Sequence, residues 1–168
     1  GVLTDGGVIF NNEGIEIKQF HIRDGLGIRL WQRAGYFFGI ITGRTSQIVK
    51  VRAAELDIEI VRQGYDDKLP VLRDVLREFD VPAEQTCYIG DDLPDVPVLR
   101  RVGLAVAVAN ARPEVCEIAH IVTSARGGEG AVREVAEGVS IGLVLDTGQI
   151  GWGDCGAVSY SGTAGREA

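Results

Sequence analysis

Residues 87–95 read Cys-Tyr-Ile-Gly-Asp-Asp-Leu-Pro-Asp, a short apolar run followed at once by carboxylates. The run Cys87–Gly90 predicts a β-strand buried on both faces. Pro94 suits the first turn of a following helix, where its missing N–H is not needed. A buried strand that leads directly into a helix is the repeating unit of a parallel α/β sheet. Ligands bind such sheets at the carboxyl ends of the strands.

The rest of the chain repeats this alternation of short apolar runs and amphipathic segments. Four further runs predict strands: Tyr36–Thr42, Ile58–Val61, Leu104–Val108 and His120–Thr123. Five segments predict helices: Gly25–Ala34, Thr45–Leu56, Pro70–Phe79, Asp95–Val102 and Pro113–Ala119. The predicted fold class is therefore α/β, a Rossmann-like parallel sheet with helices on both faces.

Two regions depart from the alternation. Residues 8–20 contain two β-like runs around Asn-Asn-Glu-Gly, which predicts a projecting β-hairpin because Asn and Gly adopt positive φ readily. From Gly138 onward the sequence becomes rich in Gly, Ser and Thr. We therefore expect an α/β domain over residues 1–137 and an atypical C-terminal extension over residues 138–168.

The composition narrows the function classes. A net charge of −7 argues against nucleic acid as a partner, because phosphate backbones are bound through basic surfaces. No apolar run approaches the roughly 18 residues that a membrane span needs. The three cysteines are widely spaced and favour reduced thiols over disulfides or a zinc site. We expect a cytoplasmic protein with neither nucleic acid nor membrane as a partner.

Asp91, Asp92 and Asp95 form an acidic cluster after the strand Cys87–Gly90. Carboxylates this close repel one another unless a cation lies among them, and hard oxygen ligands suit Mg²⁺. The alternative is that Asp92 caps the next helix, with favourable charge at the helix N-terminus. Capping needs one carboxylate or two, so the third favours a Mg²⁺ site.

Two further positions suggest phosphate binding. Thr42, Gly43 and Arg44 follow a predicted strand and offer a hydroxyl, a backbone N–H and a guanidinium, although Thr-Gly here is equally typical of capping. Lys68 lies near a helix start, where the helix dipole disfavours a cation unless an anion is close. A solvated surface lysine is the alternative.

Arg23 and Arg133 adjoin glycine-rich stretches, "HIRDGLGI" and "GGEGAVREV". Either guanidinium could bind a carboxylate or phosphate. For Arg23 the alternative is an ordinary surface arginine beside a capping Asp24. His21 and His120 have no Ser or Cys partner in a triad-like context, so neither is expected to be catalytic.

The order of these motifs resembles the haloacid dehalogenase superfamily of phosphohydrolases, in which Thr, Lys and Gly-Asp-Asp-x-x-Asp follow one another. The stretches "GVLTDGG", "IRDGLGI", "ITGR", "VGLAVAVANA" and "GGEGAVREV" resemble the 3-deoxy-D-manno-octulosonate 8-phosphate phosphatase family, from Gly1 to about Glu137. Enzymes for nonulosonate 9-phosphates share most of them. A signalling receiver domain places its acidic pair before its Thr and Lys. In this sequence the acidic cluster follows both residues, which argues against a receiver domain.

The resemblance implies a capless, Mg²⁺-dependent phosphatase of lipopolysaccharide biosynthesis that acts on a phosphorylated sugar acid. It implies that Thr42 and Lys68 are catalytic phosphate-binding residues and that Asp91 and Asp92 serve the metal. Arg23, Arg44 and Arg133 remain candidate substrate contacts. The family is typically a homotetramer in which the hairpin and a neighbour's tail cover the open site, so a homo-oligomer is expected.

In that family the first motif reads Asp-x-Asp-Gly-Val-Leu-Thr-Asp-Gly. Its first Asp attacks phosphorus and its second is the general acid and base. The match here begins at the Gly after Asp-x-Asp, so Asp5 corresponds to the later Asp and is not the nucleophile. We therefore expect the 168-residue polypeptide to be nearly inactive, and a non-catalytic assembly or binding protein is the alternative.

The residues from about 139 onward resemble a fragment of methylaspartate ammonia-lyase. That resemblance includes no catalytic barrel, so lyase activity is not expected.

Overall fold

The computed structural model describes residues 1–138. Its strands are β1 (Ile9–Phe10), β2 (Glu16–Ile17), β3 (Gly39–Thr42), β4 (Ile60–Gln63), β5 (Cys87–Gly90), β6 (Leu104–Ala107) and β7 (Ile121–Val122). Its helices are α1 (Ile22–Arg33), α2 (Gln47–Glu55), α3 (Lys68–Glu78), α4 (Val96–Leu99), α5 (Pro113–Cys116) and α6 (residues 131–138). None of these helices is long and apolar enough to cross a membrane.

The α/β prediction is confirmed, and several elements differ from it in their bounds. The strand predicted at Ile58–Val61 begins two residues later, at Ile60. Asp57 adopts a left-handed φ of 56°, and the N–H of Ile58 donates to the carbonyl of Ala53. Both features belong to the end of α2, so Ile58 closes the helix and does not begin the strand.

The helix predicted over Asp95–Val102 is wrong in extent. A short 3₁₀ turn over Leu93–Asp95 leads into α4, which ends at Leu99. The N–H of Arg101 donates to the carbonyl of Val98, three residues back, and this tightens the chain toward β6. An i−3 bond of this kind is typical of a helix end.

The parallel strands form two groups. β3 pairs with β4 in parallel, and β6 lies between β5 and β7, parallel to both. Within residues 1–138, no strand joins β3 to β5.

Clusters of buried apolar side chains cover both faces of these strands, and the two larger ones involve different helices. The first joins α1, α2 and α6 through residues such as Ile28, Ala53 and Val132. The second joins α3, α4 and α5 through Leu72, Val98 and Val115, among others. The helices therefore lie on both sides of the strand layer, as the sequence predicts.

The predicted hairpin is also present. β1 and β2 are antiparallel, with Ile9 opposite Ile17. At the turn, the side chain of Asn11 accepts hydrogen bonds from the N–H groups of Glu13 and Ile15, and Gly14 has a φ of 76°. Asn and Gly thus supply the turn chemistry that the sequence pattern indicates.

Candidate functional site

The carboxyl ends of β3 and β5 meet at a cavity of about 270 Å³. Thr42 is the last residue of β3, Asp91 directly follows β5, and Lys68 is the first residue of α3. All three line the cavity, together with Arg44. The structure therefore brings together both predicted catalytic residues, one predicted metal ligand and one predicted substrate contact.

Lys68 finds its anion within the protein. Its Nζ lies 2.7 Å from Oδ1 of Asp95, and the two side chains are only 14% and 2% exposed. The anion beside Lys68 is thus the carboxylate of Asp95, and phosphate binding by Lys68 stays a prediction. The surface-lysine alternative does not fit this burial.

The carboxylate of Asp95 accepts several further hydrogen bonds. Its Oδ1 also accepts from the hydroxyl of Tyr88 at 2.8 Å, and its Oδ2 accepts from the backbone N–H groups of Asp91 and Asp92. Burial opposes ionisation of Asp95, but Lys68 and these donors hold its pKa below the ordinary value. The pKa of Tyr88 is raised well above its ordinary value by burial and by the adjacent Asp95.

This arrangement differs from the expected cluster of three carboxylates around one cation. Asp92 accepts from the N–H of Leu93 at 2.8 Å and forms a capping box with Asp95, so the capping alternative describes these two residues here. In the described part of the chain, no group of three or more His, Cys, Asp or Glu residues is placed to hold a metal. Asp91 and Asp92 as Mg²⁺ ligands remain predictions, and of the two only Asp91 lines the cavity.

The backbone nitrogen of Gly1 lies beside Asp91. The amino group of Gly1 lies 2.6 Å from its Oδ2, and the carboxylate is 26% exposed. The next residues are held by a glycine turn, in which the N–H of Gly128 donates to the carbonyl of Val2. A Cβ at Gly128 would lie 2.5 Å from the backbone of Asp5, so a larger residue does not fit. The segment that begins at Gly1 thus passes directly beside the candidate metal ligand.

Gly90 has a similar steric role at the end of β5. A Cβ at this position would lie 2.7 Å from the Cβ of Asp95. A glycine here lets the carboxylate of Asp95 fold back onto the strand end, where it meets Lys68 and Tyr88.

Asp24 does not cap its own helix, contrary to the alternative interpretation of the Arg23 motif. His21 is the N-cap of α1, where its Nδ1 accepts from the N–H of Arg23. The buried carboxylate of Asp24 instead accepts from the N–H groups of Gly130 and Arg133 and so caps α6. Burial raises the pKa of Asp24, against the effect of these donors.

The three candidate substrate arginines lie in different places. Arg44 is at the cavity, exposed, and paired with Glu16 at 3.0 Å. Arg23 is exposed outside the cavity lining, and Arg133 packs over Gly27 and pairs with Glu137. Of these three arginines, only Arg44 lines the cavity and is positioned to contact a ligand there.

Sequence reasoning missed the contact that ties the hairpin to the site. The carboxylate of Glu16 accepts from Lys18 at 2.9 Å, from Ser46 at 2.8 Å and from Arg44 at 3.0 Å. The hydrogen bonds from Lys18 and Ser46 lower the pKa of Glu16 to about 2. Nothing local in the sequence marks Glu16, because two of its partners lie about thirty residues away in the loop after β3.

Glu16→Gln is expected to loosen the hairpin, because the neutral amide loses its charge-assisted bonds to Lys18 and Arg44. Amide exchange of residues 9–17 should quicken several-fold, while Glu13→Gln at the exposed turn should leave it unchanged. In the parent chain the carboxylate stabilises this contact above its ordinary pKa of 4.5 and loses the effect as pH falls toward about 2. Equal exchange in both variants would contradict this role.

Comparison with known families gives two matches along the chain. A family described as haloacid dehalogenase-like hydrolase matches residues 37–134. A second, described as the methylaspartate ammonia-lyase N-terminus, matches residues 106–168. The second match confirms the predicted resemblance of the C-terminal residues, which lie outside the described part, and it begins earlier than expected.

Individual relatives cover most of the chain. The 3-deoxy-D-manno-octulosonate 8-phosphate phosphatase of Yersinia pestis is 45% identical over 137 residues, which are 82% of this chain and 73% of that protein. A probable YrbI-family phosphatase from Pseudomonas syringae is 49% identical, with a TM-score of 0.81 over 89% of this chain and 82% of that one. The phosphatase of Moraxella catarrhalis, solved in complex with magnesium ion, phosphate ion and KDO, is 38% identical, with a TM-score of 0.81 over 89% and 88%.

Proposed function

The chain belongs to the haloacid dehalogenase-like hydrolases, in the 3-deoxy-D-manno-octulosonate 8-phosphate phosphatase family, and we propose that its site serves that phosphatase reaction. The substrate would be 3-deoxy-D-manno-octulosonate 8-phosphate, and the products the free sugar acid and phosphate. One observation carries the proposal: Thr42, Lys68 and Asp91 converge on one cavity from three separate segments of the chain.

Each of these residues suits a phosphate ester. The hydroxyl of Thr42 and the ammonium of Lys68 are hydrogen-bond donors to phosphoryl oxygens, and Lys68 also supplies positive charge in a partly buried site. The carboxylate of Asp95 positions this ammonium, with Oδ1 of Asp95 2.7 Å from Nζ of Lys68. Arg44, at the exposed side of the cavity, is suited to the carboxylate of a sugar acid.

Asp91 suits a Mg²⁺ ion, because its carboxylate lines the cavity and carboxylate oxygens are hard ligands. In the proposed site Asp91 would bind the ion and Asp92 would support it through the loop that both share. When bound, Mg²⁺ neutralises negative charge on the phosphoryl group. The further carboxylates that the reaction needs, an attacking Asp and an acid–base Asp, correspond to the Asp-x-Asp of the family motif.

We also propose that the protein is a cytoplasmic homo-oligomer, with a tetramer as the family's typical form. The hairpin supports this, since Val8, Ile9, Phe10, Ile15 and Ile17 are each about half exposed. Apolar side chains clustered on a projecting hairpin are typical of a contact surface. The C-terminal residues 138–168 are proposed as a separate extension of the α/β domain.

The test uses the chain extended before Gly1 by a short apolar run and Asp-x-Asp. With Mg²⁺, this protein should release phosphate from 3-deoxy-D-manno-octulosonate 8-phosphate with kcat/KM about tenfold or more above that for a nonulosonate 9-phosphate. Chelation by EDTA should abolish the activity, and added Mg²⁺ should restore it. A preference for the nonulosonate ester would assign the sibling activity. A folded, extended protein without turnover of either ester would favour a non-catalytic binding protein.

A further inference from the structure

Oδ1 of Asp95 accepts two hydrogen bonds that meet at one atom. Nζ of Lys68 lies 2.7 Å from this oxygen, and the hydroxyl oxygen of Tyr88 lies 2.8 Å from it. The other carboxylate oxygen, Oδ2, accepts from the backbone N–H groups of Asp91 and Asp92 at 3.0 and 3.2 Å. Because a carboxylate oxygen has two lone pairs, each oxygen of Asp95 has as many donors as it can direct a lone pair to. The carboxylate is therefore held in place, and Lys68 can approach Oδ1 from one side.

Tyr88 is a donor whose position is fixed by the sheet. It lies in β5, with Ala105 of β6 as its partner in the ladder, and its ring packs against the apolar cluster of α3, α4 and α5. Burial and the neighbouring carboxylate raise the pKa of Tyr88 well above its ordinary value, so the hydroxyl keeps its proton. The ring thus brings an O–H donor to Asp95 from a rigid strand.

Lys68 has donors left for a ligand. An ammonium group has three N–H donors, and within residues 1–138 the ammonium of Lys68 bonds to one acceptor, Oδ1 of Asp95. Lys68 also lines the cavity beside Thr42. Since Nζ is tetrahedral, the direction of its bond to Asp95 decides where the other two N–H groups point.

The hydroxyl of Tyr88 sets that direction, because it occupies the second lone pair of Oδ1. Without the hydroxyl this lone pair is open, and the ammonium of Lys68 is no longer confined to one side of Asp95. Tyr88 lines the cavity as well, but its proton is donated to Asp95. The hydroxyl therefore has no donor for a phosphoryl oxygen, and its effect on a ligand passes through Lys68.

We propose that Tyr88 is a positioning residue of the phosphatase site: through Oδ1 of Asp95, its hydroxyl orients the ammonium of Lys68 toward the phosphoryl group. The benefit to phosphate binding rests on the proposed function, whereas the orientation of the ammonium does not. Donors that are already in place before the ligand arrives are the main contribution of a protein to phosphoryl transfer. A hydroxyl that only stabilised the fold would leave Lys68 unaffected.

The experiment compares Tyr88→Phe with the control Thr86→Val in the 168-residue polypeptide. Thr86 directly precedes β5, is 1% exposed, and donates its hydroxyl to the carbonyl of Pro82 at 3.0 Å. Each variant loses one buried hydroxyl, so the two should lose similar amounts of stability toward urea. The first readout is the NMR signal of the Lys68 ammonium, assigned by its loss in Lys68→Met. Hydrogen exchange of this ammonium with water should become several-fold faster in Tyr88→Phe and stay unchanged in Thr86→Val.

The second readout is the Kd for inorganic phosphate in the presence of Mg²⁺. Tyr88→Phe should raise this Kd by about threefold to tenfold, and Thr86→Val should leave it unchanged. In the Lys68→Met background, Tyr88→Phe should change the Kd by less than about twofold, because a residue that acts through Lys68 has no effect once Lys68 is removed.

An unchanged Lys68 ammonium in Tyr88→Phe would overturn the proposal, and so would an equal effect of Tyr88→Phe on the Kd with and without Lys68. Faster ammonium exchange in a protein that binds no phosphate would keep Tyr88 as the residue that orients Lys68 and count against the proposed function alone. Phosphate binding that weakens in Lys68→Met but not in Tyr88→Phe would support the proposed site and count against this inference alone.

Discussion

Extension of the 168-residue polypeptide by an apolar run and Asp-x-Asp is expected to raise its phosphate release from 3-deoxy-D-manno-octulosonate 8-phosphate by about 10⁴-fold or more. The described site supplies groups that bind phosphate, Thr42 and Lys68, and one carboxylate for Mg²⁺, Asp91. The other carboxylate that lines the cavity, Asp95, is held by Lys68 and Tyr88. Removal of a nucleophile has effects of this size because catalytic groups act as a unit.

A matched extension that ends in Asn-x-Asn separates chemistry from folding. It should raise the melting temperature about as much as Asp-x-Asp does, yet leave phosphate release at the level of the 168-residue polypeptide. Steady-state phosphate release and thermal melting of the three proteins check this. Comparable turnover by the 168-residue polypeptide and the Asp-x-Asp protein would show that the nucleophile lies within Gly1–Ala168.

The local sequence pattern predicts the individual strands and helices, but it does not predict which strands pair with one another. The apolar run Cys87–Gly90 becomes β5 with unchanged bounds, because a short strand buried on both faces is a strong local signal. The separation of β3 from β5 is a property of the whole sheet. It depends on how two strands more than forty residues apart in the chain are placed in space, which a local pattern does not contain.

The site shows the same division between local and distant signals. Lys68 at a helix start predicts an anion from electrostatics alone, yet the position does not say which carboxylate it is. Asp95 was expected beside a cation, and the cation that it meets is the ammonium of Lys68. Asp24 and Glu16 were missed in their actual roles, because their partners come from segments distant in the chain.

Asp95→Asn is expected to lower the free energy of unfolding by about 3 kcal/mol, since it leaves the ammonium of Lys68 largely buried without a counter-charge. The amide also replaces a charged acceptor for the hydroxyl of Tyr88 and the N–H groups of Asp91 and Asp92. Urea unfolding of the parent chain and the variant measures the loss. Glu78→Gln is the control: it breaks an ion pair with Arg62 that is 29% and 54% exposed, and should change stability by less than about 1 kcal/mol.

The double variant Lys68→Met/Asp95→Asn tests whether the unpaired ammonium of Lys68 causes the loss of stability in Asp95→Asn. Removal of the unpaired ammonium should recover about 1–2 kcal/mol of the free energy of unfolding relative to Asp95→Asn alone, because contacting residues are coupled by this order of energy.

The pH dependence of stability gives a second check on the role of the Asp95 carboxylate. The lowered pKa of Asp95 means that its charge stabilises the fold above the ordinary value of 3.8, and this contribution fades as pH falls through the lower folded-state pKa. The stability difference between the parent chain and Asp95→Asn should therefore be full near neutral pH and shrink below about pH 4. A double variant no more stable than Asp95→Asn, with a difference constant down to acid pH, would mean that the backbone cap and not the buried ion pair carries the role of Asp95.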